Sequence, residues 1–386
     1  MTRPKGRVRG ATPGATPRPG RARLPWGRAV GGAAAALVFA AFLALLPLLA
    51  IDLPGILPGP TYTPGSLQLL ALCFAMAAAA LSYHLLLGAA GLLSFGHALS
   101  FGAGVYGLAV ILGHLGLPLV PAALLALLLA IVLALVVGSI SLRVGGIPFA
   151  MVTLAFAQAG SVLVRRNPGG ATGGDEGLSL ATGNLPDGLV GVVNTRNLYW
   201  LALAALVLVY AVVLWIQSSR AGHVAEAVRE NELRVRVLGL TPFAPKLLVF
   251  TVGGALAAVA GMVYLLLQSG AVPRSVSSDL TITLLVMVVL GGVGSRWGAI
   301  VGGVVYTLLD QRLAALAASP AIKDLPPVLR IPLSEPLFIL GTLFILVVLF
   351  LPGGLAGAAG RVRARRRGAG PVPRAAERLE KVLEDA

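Results

Sequence analysis

Three stretches of this chain run for about twenty residues without a charged side chain: VGGAAAALVFAAFLALLPLLAI (30–51), PLVPAALLALLLAIVLALVVGSI (118–140) and LYWLALAALVLVYAVVLWI (198–216). About 20 apolar residues in a helix cross the hydrocarbon core of a bilayer, and a backbone in lipid must satisfy its own hydrogen bonds. Several such runs in one chain therefore restrict it to a bundle of membrane helices. Composition agrees, with 57% hydrophobic and 12% charged residues, where soluble domains carry ~25% charged.

Apolar segments fall near 30–50, 67–87, 98–113, 119–140, 147–164, 198–216, 247–268, 279–293, 298–310 and 336–351. The expected fold is an all-α polytopic membrane protein of about ten transmembrane or partly re-entrant helices, the third, eighth and ninth being short. An even count puts both termini on one side. The positive-inside rule makes that side cytoplasmic: the loop 220–246 holds five Lys/Arg, the loop 51–66 none, and each tail eight. The membrane-spanning region is expected over 29–352, with a cytoplasmic loop at 219–246 and an external loop at 165–197. A disordered basic tail at 1–28 and a second basic tail at 353–386 flank it.

The basic N-terminus ahead of an apolar run imitates a signal peptide. A signal's apolar region spans ~7–15 residues, whereas this run exceeds that and lacks a small-residue cleavage site, so it reads as a retained span. The formal charge of +15 gathers in the tails and one loop, without the interleaved aromatics of a single-strand binding surface, which excludes nucleic acid as a partner. Cys73 is the only cysteine, so an internal disulfide is impossible. The external loop, RRNPGGATGGDEGLSLATGNLPDGLVGVVNTRN, is polar and glycine-rich. It is either a flexible connector or a surface that meets an external partner or the substrate.

The loop SRAGHVAEAVRENELRVRVLGLTPFAPK (219–246) carries a helix pattern from Ala221 to Val237. Glu226, Arg229, Glu230 and Glu232 fall on solvated positions, Glu230 precedes Arg234 by the favourable four residues, and Gly239 stands where a C-terminal glycine stops a helix. Its apolar positions are mostly small Ala and Val. A membrane-surface helix wants large apolar anchors, so the small face suits docking into a protein groove.

AEAVRENELRVRVLGL resembles the loop by which permease subunits of ABC importers engage their ATPase. In that family a Glu-Ala pair opens a short helix and a glycine follows; Glu226, Ala227 and Gly239 match, while Val228 replaces a second alanine. Three further stretches, GAAGLLSFGHALSFGAGVYGLAV, LRVGGIPFAMVTLAFAQ and VVLGGVGSRWGAIVGGVV, resemble in order the LivM-type branched-chain amino acid permeases, over roughly residues 67–352. The resemblance implies coupling residues at Glu226, Ala227, Arg229, Glu230 and Gly239. It also implies a second permease subunit, two ATP-binding cassette subunits that bind ATP and Mg, an extracytoplasmic solute-binding protein, and a site in a bacterial inner membrane. No cofactor is expected in this chain. A P-loop needs Gly-Lys-Ser/Thr after a glycine-rich turn, and Lys5, Lys246, Lys323 and Lys381 all lack that context.

Residues 91–106, GLLSFGHALSFGAGVY, hold Gly91, Gly96, Gly102 and Gly104 around His97. Irregular backbone at membrane depth is tolerated only inside protein or against a cavity, and small residues let helices approach closely. The stretch 291–306 has the same character: Gly91, Gly102, Val105 and Tyr106 match Gly291, Gly302, Val305 and Tyr306 at an offset of 200. Paired glycine-interrupted segments in two halves point to a transport site. Ser94, Gly96 and His97 are thus candidates for the translocation path, with packing against a backbone carbonyl as the alternative for His97. Thr153 and Gln158 are the other intramembrane polar candidates; five residues apart, they lie about 140° apart on a helix, so helix–helix hydrogen bonding competes with pore lining. His84 and His114 near span ends read as interfacial.

The solute implied is a small polar one, branched-chain amino acids first, with urea or short amides as variants. A stand-alone solute channel would need no ATPase. A secondary transporter would need intramembrane acids, and the cores of the ten segments lack Asp and Glu. A purely structural subunit would leave the Glu226 helix without a purpose.

Overall fold

The computed structural model describes residues 40–52, 57–191, 194–317, 335–351 and 353–358. The tail 1–28, the first apolar run up to residue 39 and the tail beyond 358 lie outside the described residues. The chain divides into units Met1–Phe42 and Leu43–Ala386; the account below concerns the second.

After a 3-10 turn at Leu46–Leu48, α1 runs Pro64–His84 and continues as a π turn, Leu85–Ala89. Then come α2 (His97–Val110, prolonged by Ile111–Leu115), α3 (Leu119–Ser141), α4 (Ile147–Arg166) and α5 (Thr195–Ser218). Two short helices follow, α6 (Arg220–Glu230) and α7 (Glu232–Val237), before α8 (Phe243–Gln268), α9 (Ser278–Gly291), α10 (Arg296–Ala317) and α11 (Pro336–Phe350). Prolines sit in the first turns of α1, α4 and α11, where a missing N–H costs nothing.

Among the described residues, seven helices are long and apolar enough to cross a membrane, or eight if α9 and α10, bent by 119° at their junction, count as one span. The first of the ten expected segments lies mostly outside the described residues; the eighth and ninth are corrected, being the arms of the bent pair. At 14 residues, α9 is about 21 Å long, too short to cross alone. The tenth helix runs on to Ala317, which places Asp310 inside it, half-buried; the sequence had set that acid at a segment edge.

Within the bundle α1 is central: 89% of its most apolar window is buried, against 28% for α3. It packs on α5, α8 and α10, while α8 also receives α2 and α3. Helices in lipid gain nothing by segregating apolar from polar faces, and close packing between small residues holds them together. On α3, Ala122, Ala126, Ala130 and Ala134 are buried at four-residue intervals, whereas Leu124, Leu128 and Val132 face outward. The α2–α8 crossing is tightest at Gly104, where a Cβ would overlap the Ala258 carbonyl.

The chain alternates between two ends. At one end lie the C-terminus of α1, α6, α7 and the turn 292–295 between α9 and α10; this is called the α6 end. At the opposite end, β1 (Leu178–Ser179) pairs antiparallel with β2 (Gly270–Ala271), Leu180 N donates to Ser269 O, and Arg312 Nη2 donates to Leu57 O at 3.3 Å. The glycine-rich loop after α4 is therefore pinned to the end of α8. Asn167 Oδ1 organises it further by accepting from Thr172 N and Gly173 N. Residues 353–358, assigned to the tail by sequence, form a turn and a helical stretch with Gly353 and Gly354 seated on Gly292.

Candidate functional site

Between α1 and α2 the helix is broken at residues 91–96, and the break folds back into the bundle. Backbone donors there have lost their helical partners; Leu92 N donates to Leu86 O, and three others at the end of the break and the start of α2 find hydroxyls. Phe95 N donates to Thr153 Oγ1 (3.1 Å), Gly96 N to Ser94 Oγ (3.2 Å) and Ala98 N to Thr281 Oγ1 (2.9 Å). Tyr83 Oη donates to Ser94 O, and a Cβ on Gly96 would sit 2.6 Å from Thr153 O. The hydroxyls come from the break itself (Ser94), α4 (Thr153) and α9 (Thr281), so the break is tied to both helices.

His97 opens α2 at 2% exposure, its ring edge-on to Tyr83 at 5.3 Å. Its Nε2 lies 2.9 Å from Ser82 Oγ, whose own hydrogen goes to Ala79 O. A hydroxyl has one hydrogen to give, so Nε2 donates and Ser82 accepts. Ser94, Gly96, His97 and Thr153 are thereby brought into one buried cluster. Gln158 is not part of it: it is exposed on α4, and its Nε2 reaches Ser278 Oγ at 3.0 Å. From the other side, Pro273–Val276 forms a 3-10 turn whose Val276 fills the space beside Gly102. Two irregular segments thus approach one another inside the bundle from opposite ends. In the second glycine stretch, Gly302 and Gly298 are buried against the backbone of α9.

At the α6 end, the single helix expected over Ala221–Val237 is two. Asn231 is extended (φ −160°) and its side chain accepts from Arg234 N, capping α7. Glu230 and Arg234 consequently no longer share a helix face. Glu232 forms the ion pairs instead, with Lys246 at 2.6 Å and Arg236 at 2.7 Å. The hydrogen bond from Lys246 is the main cause that holds the Glu232 carboxyl below the usual carboxylate range, opposed by partial burial and aided by Arg236. Ser219 caps α6 by accepting from Gly222 N.

The small face of α6 does not look outward. Gly222, Ala225 and Val228 are buried against the protein's own end, and Gly222 packs on the Ile216 carbonyl. What faces solvent is Glu226, Ala227, Arg229 and Glu230, continued on α7 by Leu233 (71% exposed), Val237 (79%) and Leu238 (71%). The sequence reading missed these three large apolar residues, although NELRVRVLG spaces Leu233 and Val237 four apart. Gly239 ends the element with φ +79°, the left-handed conformation that favours glycine. His84, expected at an interface, is 3% exposed instead.

The bundle of apolar helices, with its buried helix break and an exposed apolar helix at one end, defines a polytopic membrane protein. The profile of the family described as "Branched-chain amino acid transport system / permease component" matches residues 65–348, and the chain belongs to that family. It is 29% identical over 250 residues to the high-affinity branched-chain amino acid transport system permease protein LivM of Salmonella typhimurium, and 28% identical over 250 to that of Escherichia coli. Each alignment spans 59% of this chain and 59% of the relative. The autoinducer 2 import system permease protein LsrC of Klebsiella pneumoniae is 33% identical over 141 residues, 33% of this chain and 40% of that protein. No solved structure matches.

Proposed function

We propose that this chain is a membrane-embedded permease subunit of an ATP-driven ABC importer for branched-chain amino acids, in a bacterial cytoplasmic membrane with both termini cytoplasmic. ATP and Mg would be bound by separate cassette subunits. A second permease subunit and an external binding protein would complete the assembly. The observation that carries the reading is the exposed apolar patch of Leu233, Val237 and Leu238 beside Glu226 and Glu230. Large apolar side chains clustered on a solvent-facing helix mark a contact surface, and a groove on an ATPase is the partner that membership of a transport family supports.

In mechanism, closure of the ATPase pair on nucleotide would push α6 and α7 as a unit. Glu232, clamped to Lys246 at the start of α8, would pass that push to α8. The eighth helix packs on α1, α2 and α3, so its displacement would reach the buried break at Ser94, Gly96 and His97. Alternating exposure of that break, with Thr153 beside it and Gln158 facing outward, would form the path. The test is uptake of labelled leucine by vesicles holding the whole transporter. Val237→Glu should reduce uptake to background while leaving the chain's melting temperature unchanged, because the side chain touches little else. Glu226→Arg should do the same. Undiminished uptake by both variants at normal expression would contradict the docking role.

A further inference from the structure

At the α6 end a polar cleft of about 400 Å³ opens between α1, α5, α6 and the turn 292–295, lined by His84, Gly88, Gln217, Glu226, Arg229 and Arg296 among others. That volume lies in the range of small-molecule sites, ~300–1,000 Å³. Its charged groups are unspent. Arg229 Nη1 donates to Gly88 O, and Arg296 Nη1 to Gln217 Oε1 at 3.1 Å. A guanidinium carries five N–H donors, and among the described residues neither arginine is ion-paired. Glu226 is likewise without an ion pair among the described residues.

His84 adds a second, independent sign. Its ring packs against Gly88, where a Cβ would overlap ring atoms Cε1 and Nδ1. The side chain is 97% buried (3% exposed), yet its Nδ1 has no hydrogen-bond partner among the described residues. Buried polar atoms are nearly always satisfied, so an exception calls for a missing partner.

We propose that this cleft binds a small amino acid as its zwitterion, entering from the α6 side. The carboxylate bridges the Arg229 and Arg296 guanidinium groups and takes a further hydrogen bond from His84 Nδ1; the ammonium faces Glu226. Planar guanidinium forks recognise a carboxylate through paired, charge-assisted hydrogen bonds. A bound solute ties α6 to the α9–α10 turn and to the end of α1. Solute that accumulates on that side therefore restrains the helix that must move, and slows further import. That consequence rests on the permease reading; the binding does not.

The binding test uses the full-length chain in lipid nanodiscs without any ATPase, titrated calorimetrically with leucine, isovalerate and isopentylamine. Leucine binds saturably, isovalerate binds more weakly, and isopentylamine, lacking a carboxylate, does not bind. Arg296→Gln weakens leucine by about tenfold or more. Glu226→Gln, an exposed change that leaves folding intact, weakens leucine but not isovalerate. Leucine binding that is equal in wild type and both variants overturns the site while leaving the transport reading standing. So does the absence of saturable heat from leucine and isovalerate at millimolar concentrations.

Discussion

At the scale of single residues, the break at 91–96 depends on hydroxyls placed far away in sequence. Thr153 accepts from a backbone donor 58 positions off, and Thr281 from one 183 positions off. Removing the acceptor while keeping the shape leaves a buried N–H unsatisfied, at a cost of about 1–3 kcal/mol. Thr153→Val should therefore lower the melting temperature of the detergent-solubilised chain, and Thr153→Ser should restore most of it. Equal stability of the two variants would argue against the cap. Ser94, His97 and Thr153 were recognisable in the sequence as polar residues within apolar runs. Their grouping was not, because no local pattern encodes which distant helix supplies the partner.

Glu232 makes a second residue-scale prediction. Its folded carboxyl titrates below the ordinary range of ~4.3 for Glu, so its link to Lys246 stabilises the folded loop at and above that range. The contribution disappears as pH falls through the lowered value. Amides of 232–246 should be protected from hydrogen exchange at neutral pH and lose that protection only under acid conditions. Glu232→Gln should flatten the pH dependence, and an unchanged profile would remove the clamp from the account.

At the scale of elements, the positions of the helices could be read directly, because each is an apolar run bounded by glycine, proline or charge. Their buried faces could not. On α3 both faces are apolar, and side-chain size alone separates the buried Ala122 and Ala126 from the exposed Leu124 and Leu128. The break of the loop helix was encoded, since Asn231 followed by Glu232 is an N-cap with an acidic first turn, but an unbroken amphipathic pattern masked it. Size also sets a test. Gly104→Ala drives a Cβ into the Ala258 carbonyl and forces α2 from α8, at a cost of about 1–3 kcal/mol. Gly145, with open space around it, should accept alanine without loss. Melting temperatures that rank the two the other way would mean the crossing is not as tight as described.

For the whole molecule, the two ends carry different chemistry: an ordered polar loop pinned by a two-residue ladder at one, and the α6–α7 element with its clustered arginines at the other. With Cys73 buried, the thiol background is low. A cysteine at Asp175 should label with an impermeant reagent from outside intact cells. One at Thr241 should label only after the membrane is opened. Labelling of both from one side would overturn the topology.

The central claim is that an ATPase docks on the α6–α7 patch, and the most direct measurement is to identify what accompanies the chain out of its own membrane. Tagged, gently extracted and analysed by mass spectrometry, it should bring a P-loop ATPase and a second hydrophobic permease, and Val237→Glu should lose the ATPase while keeping the permease. Recovery of the wild-type chain alone, or only with copies of itself, would contradict the importer and favour a self-sufficient channel.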